Sequence, residues 1–102
     1  MTTISRPLPN IIRITLGDLD IQKKINIPAR TGKITVKFIT NSGKISFAGS
    51  DGGTVSDNYL SIVNDVFFQI NWSPLSVRNT ARTYFFVSGD VDATDVEILI
   101  EA

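Results

Sequence analysis

Apolar and polar positions alternate with a period of two along much of this chain. Ile12, Ile14 and Leu16 share one side while Arg13 and Thr15 take the other. Successive side chains of a strand point to opposite faces, so this is the pattern of a strand with one wet side. Next, Leu19, Ile21, Ile25 and Ile27 stand against Asp20, Gln22, Lys24 and Asn26, with Lys23 breaking the apolar side and Pro28 closing the segment. From Lys33 to Thr40, Ile34, Val36 and Phe38 oppose Lys33, Thr35 and Lys37, and the pattern resumes with Ile45 and Phe47 after Asn41-Ser42-Gly43. Asparagine and glycine tolerate the positive φ of a tight reversal, so these two segments are predicted to form a hairpin.

The polar stretch from Gly49 to Asn58 is too rich in glycine and turn formers for a helix or a paired strand, and reads as a loop. Tyr59, Ile62, Val63, Val66, Phe67 and Ile70 also fit a helical stripe. A strand reading is preferred: Asn64-Asp65 makes a turn, after which Val66, Phe68, Ile70 and Trp72 alternate with Phe67, Gln69 and Asn71. Residues 73 to 82 connect to a strand from Thr83 to Ser88 that is apolar on both sides. The last strand sets Val96, Ile98 and Ile100 against Asp95, Glu97 and Glu101. About seven strands result, spaced as in an antiparallel sandwich or small barrel. The fold class predicted is all-β, an antiparallel β-sandwich or jelly-roll-like domain over residues 11–102. Pro7 and Pro9 withhold two backbone donors and favour extended neighbours, which makes residues 1–10 an extended N-terminal arm. Such an arm can add to a neighbouring subunit's sheet edge, with Ile4 or Leu8 filling a pocket.

Composition agrees with the pattern. Isoleucine, valine and threonine make up 32 of the 102 residues, and β-branched side chains pack well on a pleated surface. One domain of this length can bury a sufficient core unaided. Cysteine and histidine are absent, which removes disulfides, thiolate nucleophiles, imidazole bases and the usual transition-metal ligand sets. The net charge is zero, which argues against general nucleic-acid binding. Yet residues 1–50 carry +6 and residues 51–102 carry −6. Either strands of the two halves lie side by side and neutralise each other, or a basic face of one subunit meets an acidic face of the next. Residues 1–10 lack the features of a secretory leader and the longest unbroken apolar run is four residues, so a soluble protein without membrane contact is expected.

Three constellations were weighed for chemistry. Asp95 and Glu97, two apart on a strand, share a face at roughly 6.6 Å between Cα atoms, within reach of a glycosidase pair. Nothing on a solvent face desolvates either one, so an enzyme is not predicted. Asp90, Asp92 and Asp95 have the oxygen density of a calcium loop but lack its glycine and its closing glutamate, so no metal or cofactor is predicted. Gly49, Gly52 and Gly53 lack both the spacing and the following helix of a phosphate cradle. Among aromatics, Phe38, Phe47, Phe68 and Phe86 fit the inward set, leaving Phe67, Phe85 and Trp72 for a second face. An outer patch of that kind calls for subunit contact as its cover, or serves as a sugar-binding platform.

The segments Lys33-Ile-Thr-Val-Lys-Phe-Ile39, Asn41-Ser-Gly-Lys-Ile-Ser-Phe-Ala-Gly49, Thr83-Tyr-Phe-Phe-Val-Ser-Gly89 and Asp95-Val-Glu-Ile-Leu-Ile100 follow one another in an order that resembles small bacteriophage virion proteins. Those are β-sandwich or jelly-roll modules, and a short all-β chain with a proline-bearing arm is most similar to capsid decoration, or cement, proteins. The resemblance implies a place on the capsid surface after synthesis in the host cytoplasm. It implies a homo-oligomer such as a trimer, the major capsid protein as partner, and no nucleic acid. The expected contacts are Arg6 and Leu8 on the arm, Trp72, Arg78 and Arg82 on the following insert, and Phe67 and Phe85 between subunits. Neck, tail and fibre modules share the pattern, and a carbohydrate-binding sandwich is the rival from a different class.

Overall fold

A computed structural model describes residues 10–28, 31–56, 58–72 and 84–101. Eight strands follow in order: β1 (Asn10–Thr15), β2 (Lys23–Asn26), β3 (Lys33–Phe38), β4 (Gly43–Ser46), β5 (Leu60–Ile62), β6 (Phe68–Asn71), β7 (Tyr84–Gly89) and β8 (Asp95–Glu101). They form two antiparallel four-stranded sheets, β1-β8-β3-β6 and β2-β7-β4-β5. That interleaved order is a jelly-roll-like β-sandwich. The described residues contain no helix.

The period-two pattern explains the first sheet directly. On β8, Val96, Ile98 and Ile100 are buried, and they sit in register with Ile14, Ile12 and Asn10 of β1 and with Phe38, Val36 and Ile34 of β3. Residues opposite one another in an antiparallel pair share a face. One side of this sheet is therefore an apolar layer, and it packs against Ile25, Ile45, Ile62, Phe85 and Val87 of the second sheet. Trp72, just beyond β6, is 1% exposed; its ring lies 5.9 Å from Phe85 and 6.3 Å from Phe47. Gly43 is required by close approach: a Cβ there would overlap the Phe38 ring.

The structure corrects several expectations. The described residues hold eight strands, close to the about seven expected, while particular pairings and placements differ. The segments flanking Asn41-Ser42-Gly43 do not pair with one another: β3 belongs to one sheet and β4 to the other, and neither Asn41 nor Gly43 has positive φ. The reversal carries the chain across the sandwich. The Asn64-Asp65 turn is present, with Asp65 at φ 64°, but it too joins strands of different sheets. Phe85 and Trp72 are core residues, not members of an outer patch, while Phe86 lies on the face of β7 turned away from the core cluster. Only Phe67, at 69% exposure, stands outside as expected. In the second strand the odd-even pattern holds for Ile25 and Ile27, but Leu19 is exposed and Gln22 is buried. The Gln22 amide donates to the Ala48 carbonyl and accepts the Ser50 N–H, pinning the loop after β4.

Strands of the two halves of the chain alternate in both sheets, which explains the charge segregation. Basic residues of the first half meet acids of the second at Arg13–Glu97, Lys33–Glu101 and Lys44–Asp90.

Replacing Phe85 by Ala should cost about 3–5 kcal/mol of unfolding free energy, whereas Phe67→Ala should change it by less than about 0.5 kcal/mol. Urea titration followed by the emission of the single tryptophan measures both.

Candidate functional site

Four connections gather at one end of the sandwich: residues 16–22, 39–42, 63–67 and 90–94. A chain of hydrogen bonds binds them together. The Asp20 N–H donates to the Gly89 carbonyl at 2.9 Å and the Ala93 N–H to the Gly17 carbonyl at 2.8 Å. The Leu19 N–H donates to Asp92 Oδ1 at 2.8 Å. The Asp90 N–H reaches the Ser42 carbonyl, the Asn64 N–H reaches Ser42 Oγ, and the Asp65 N–H reaches the Phe38 carbonyl. Asp20, Asp65 and Ala93 adopt positive φ in these turns; aspartate tolerates that region, whereas for alanine it is uncommon. The tied loops hold Leu19, Val63, Val66 and Val91 at 48%, 64%, 51% and 40% exposure. The same loops carry Asp18, Asp20, Asp65, Asp90 and Asp92. This end is therefore an acidic surface studded with aliphatic side chains.

Lys44 of β4 holds the acidic end together. Its Nζ pairs with Asp20 at 3.0 Å and with Asp90, while Tyr59 lies 5.3 Å below the charge. The Asp90 carboxylate, with a further contribution from Asp20, outweighs partial burial and raises the Lys44 pKa above its ordinary value.

A second surface is the outer face of the β1-β8-β3-β6 sheet. Arg13 pairs with Glu97 at 2.6 Å and Lys33 with Glu101 at 3.9 Å. The Lys37 ammonium stands 5.0 Å over the Phe67 ring. Between these charges runs a groove of about 180 Å³ lined by Ile11, Thr35, Phe67 and Leu99 among others. The other sheet's outward side differs, because Ser46, Phe86 and Ser88 are buried there. Ser46 Oγ accepts the Ala48 N–H and lies 2.6 Å from the Asn58 carbonyl, so the connection between β4 and β5 covers it.

Each residue expected at a contact can now be placed. Phe67 is exposed on the outer face just described. Trp72 and Phe85 are buried in the core, so neither side chain reaches a partner surface, and the buried indole offers no platform to a sugar ring. Arg6, Leu8, Arg78 and Arg82 lie outside the described residues. Asp95 and Glu97 do share the outer face of β8, but Asp95 accepts the Thr15 hydroxyl and Glu97 is held by Arg13. The three aspartates weighed as a calcium loop point to different partners: Asp90 to Lys44, Asp92 to the Leu19 N–H, and Asp95 to Thr15. Among the described residues no three potential ligands gather for a metal. The exposed aliphatic set was missed because Leu19 and Val66 each continue a strand alternation and Val63 fits a helical stripe. The signal for it is their position beside turn aspartates and asparagine.

No family model matches the chain, and no curated protein sequence matches it. Among solved structures, a cupin superfamily protein from Desulfitobacterium hafniense is similar over 97% of this chain and 84% of its own, at 10% identity and a TM-score of 0.45. The jelly-roll description rests on the strand order itself.

Lys44→Met should lower stability at neutral pH by about 1–2 kcal/mol, since two carboxylates lose a charge-assisted partner. A raised folded pKa means this contribution is fully present below the unfolded lysine value of about 10.4 and is lost as pH rises through the folded value. The difference between the parent chain and Lys44→Met, followed by urea titration, should therefore be flat from neutral pH to about 10 and shrink above it.

Proposed function

We propose that this chain is a virion structural protein, a capsid decoration protein that binds the assembled shell through the acidic, aliphatic-studded end of its sandwich. One observation carries the reading: Leu19, Val63, Val66 and Val91 stand exposed together on loops that are mutually hydrogen-bonded. A surface held rigid before binding loses little conformational entropy on docking, so modest apolar contacts suffice. The aspartates around it would orient the end toward a basic surface of the shell protein and speed encounter. The jelly-roll-like body supports the reading because it fits the resemblance to small virion modules. Its interior is occupied by Trp72, Phe38, Phe85 and aliphatic side chains, which leaves the surfaces as the working parts.

The mechanism is stabilisation by mass action. A protein that binds the assembled shell and not its dissociated subunits adds RT ln(1 + [L]/Kd) per site, about 2.7 kcal/mol at a hundredfold excess over Kd. Repeated over a shell, this opposes rupture, and the major capsid protein is the partner.

The double variant Val63→Asp, Val66→Asp should fold, because both side chains are exposed, and should lose shell binding. Co-sedimentation of the purified chain with assembled shells of the virus that encodes it measures the effect, with an expected loss of affinity of at least about tenfold. Equal pelleting of parent and variant would remove this end as the docking surface, and no pelleting of the parent would remove the decoration reading.

A further inference from the structure

We infer that the outer face of the β1-β8-β3-β6 sheet is a homotypic interface, on which a second copy docks face to face about a two-fold axis running along the strands between β8 and β3. The inference is independent of the shell-binding reading and uses a different surface.

Charge is laid out on that face in columns. Outward from β8 project Asp95, Glu97, Leu99 and Glu101; outward from the adjacent β3 project Lys33, Thr35 and Lys37. A column of acids thus stands beside a column of lysines, with Glu97 level with Lys37 and Glu101 level with Lys33. On the flanks, Ile11 and Arg13 stand on β1, and Phe67 and Gln69 at β6.

A two-fold axis parallel to the strands exchanges β8 with β3 and β1 with β6 while keeping each level where it is. Glu97 then faces the partner's Lys37 and Glu101 faces the partner's Lys33. Arg13 faces the partner's Phe67, whose ring can accept a cation. Leu99 and Ile11 fall in the middle level, beside the apolar groove. The other in-plane axis, perpendicular to the strands, sets acids on acids and lysines on lysines, which is repulsive. The charge pattern therefore selects one symmetry, and a closed two-fold contact is self-complementary by construction.

Three further observations favour this occupant. Lys37 has no carboxylate partner among the described residues; its contact is with the exposed Phe67 ring. Ile11 and Phe67 are 64% and 69% exposed beside the groove, an apolar surface that a facing sheet would cover. Aligned packing of two sheet faces is also an established arrangement, with a layer about 10 Å thick between them. In the dimer each Glu97 would lie between its own Arg13 and the partner's Lys37. That places a desolvated carboxylate between two cations instead of leaving it singly paired.

The footprint is modest, about 20 Å by 15 Å from strand rise and spacing, so the dimer should depend on concentration and weaken with salt. Analytical ultracentrifugation of the purified chain, from about 5 to about 500 μM at low ionic strength, should give a monomer–dimer equilibrium. Lys37→Glu and Glu97→Lys should each weaken the dimer by at least about tenfold, and an equimolar mixture of the two should restore it, because opposite charges then meet in both copies of the contact between positions 97 and 37. Should either charge reversal fail to fold in a thermal melt, Lys37→Met and Glu97→Gln take its place, each expected to weaken the dimer by about threefold or more. A chain that stays monomeric throughout overturns the inference, as does a trimer, or a dimer whose strength neither substitution changes. None of these results depends on whether shells are bound, so the two readings fail separately.

Discussion

Two four-stranded sheets must close over a single apolar layer with no disulfide or helix among the described residues to help, and the rest of the structure depends on how that layer is filled. Every inward-facing level of the β1-β8-β3 ladder presents aliphatic or aromatic side chains to it, with Asn10 at one end as the exception. The opposing sheet supplies Ile25, Ile45, Phe85 and Val87. Trp72 is buried with its ring against both Phe47 and Phe85. Close packing of this kind transmits the cost of any missing volume, which is why the interior is rigid and the surfaces are free to vary.

That division of labour shapes both candidate surfaces. The end of the sandwich is held by main-chain hydrogen bonds between loops and by Lys44 between two carboxylates, so exposed aliphatic groups can be displayed without loosening their support. The broad outer face draws its charges from strands far apart in sequence. Arg13 meets Glu97 only because β1 lies against β8. A charge segregation that looks lengthwise in the sequence becomes an alternation across the sheets.

Where one side of a strand is wet, the sequence was legible. β1, β3 and β8 alternate in sequence, and the inward residues of β3 and β8 are buried while Ile12 and Ile14 of β1 pack partly buried against the core, because burial on one face leaves a period of two. β7 was not legible in the same way: Tyr84, Phe85, Phe86 and Val87 are apolar on both faces, so nothing in the pattern says which ring enters the core. Turn composition located the reversals at Asn41-Ser42-Gly43 and Asn64-Asp65 but not their destinations. A short polar connection can close a hairpin or cross between sheets, and only the partner strands decide. Exposed Phe67 was identified as a surface residue through its phase with Gln69 and Asn71. Leu19, Val63, Val66 and Val91 were not, because an apolar residue at a turn and an apolar residue at the start of a strand look alike in one dimension.

The position of β8 has a consequence for how the chain is made. Residues 95–101 form the strand between β1 and β3, so β1 has no neighbour in its own sheet until β8 has been made, whereas β3 can pair earlier with β6. A growing chain must keep Ile12 and Ile14 of β1 from pairing wrongly throughout that wait. Topologies dominated by distant pairings fold in milliseconds to seconds, so the interval before β8 closes the sheet, rather than the finished fold, is when this sequence is most open to aggregation.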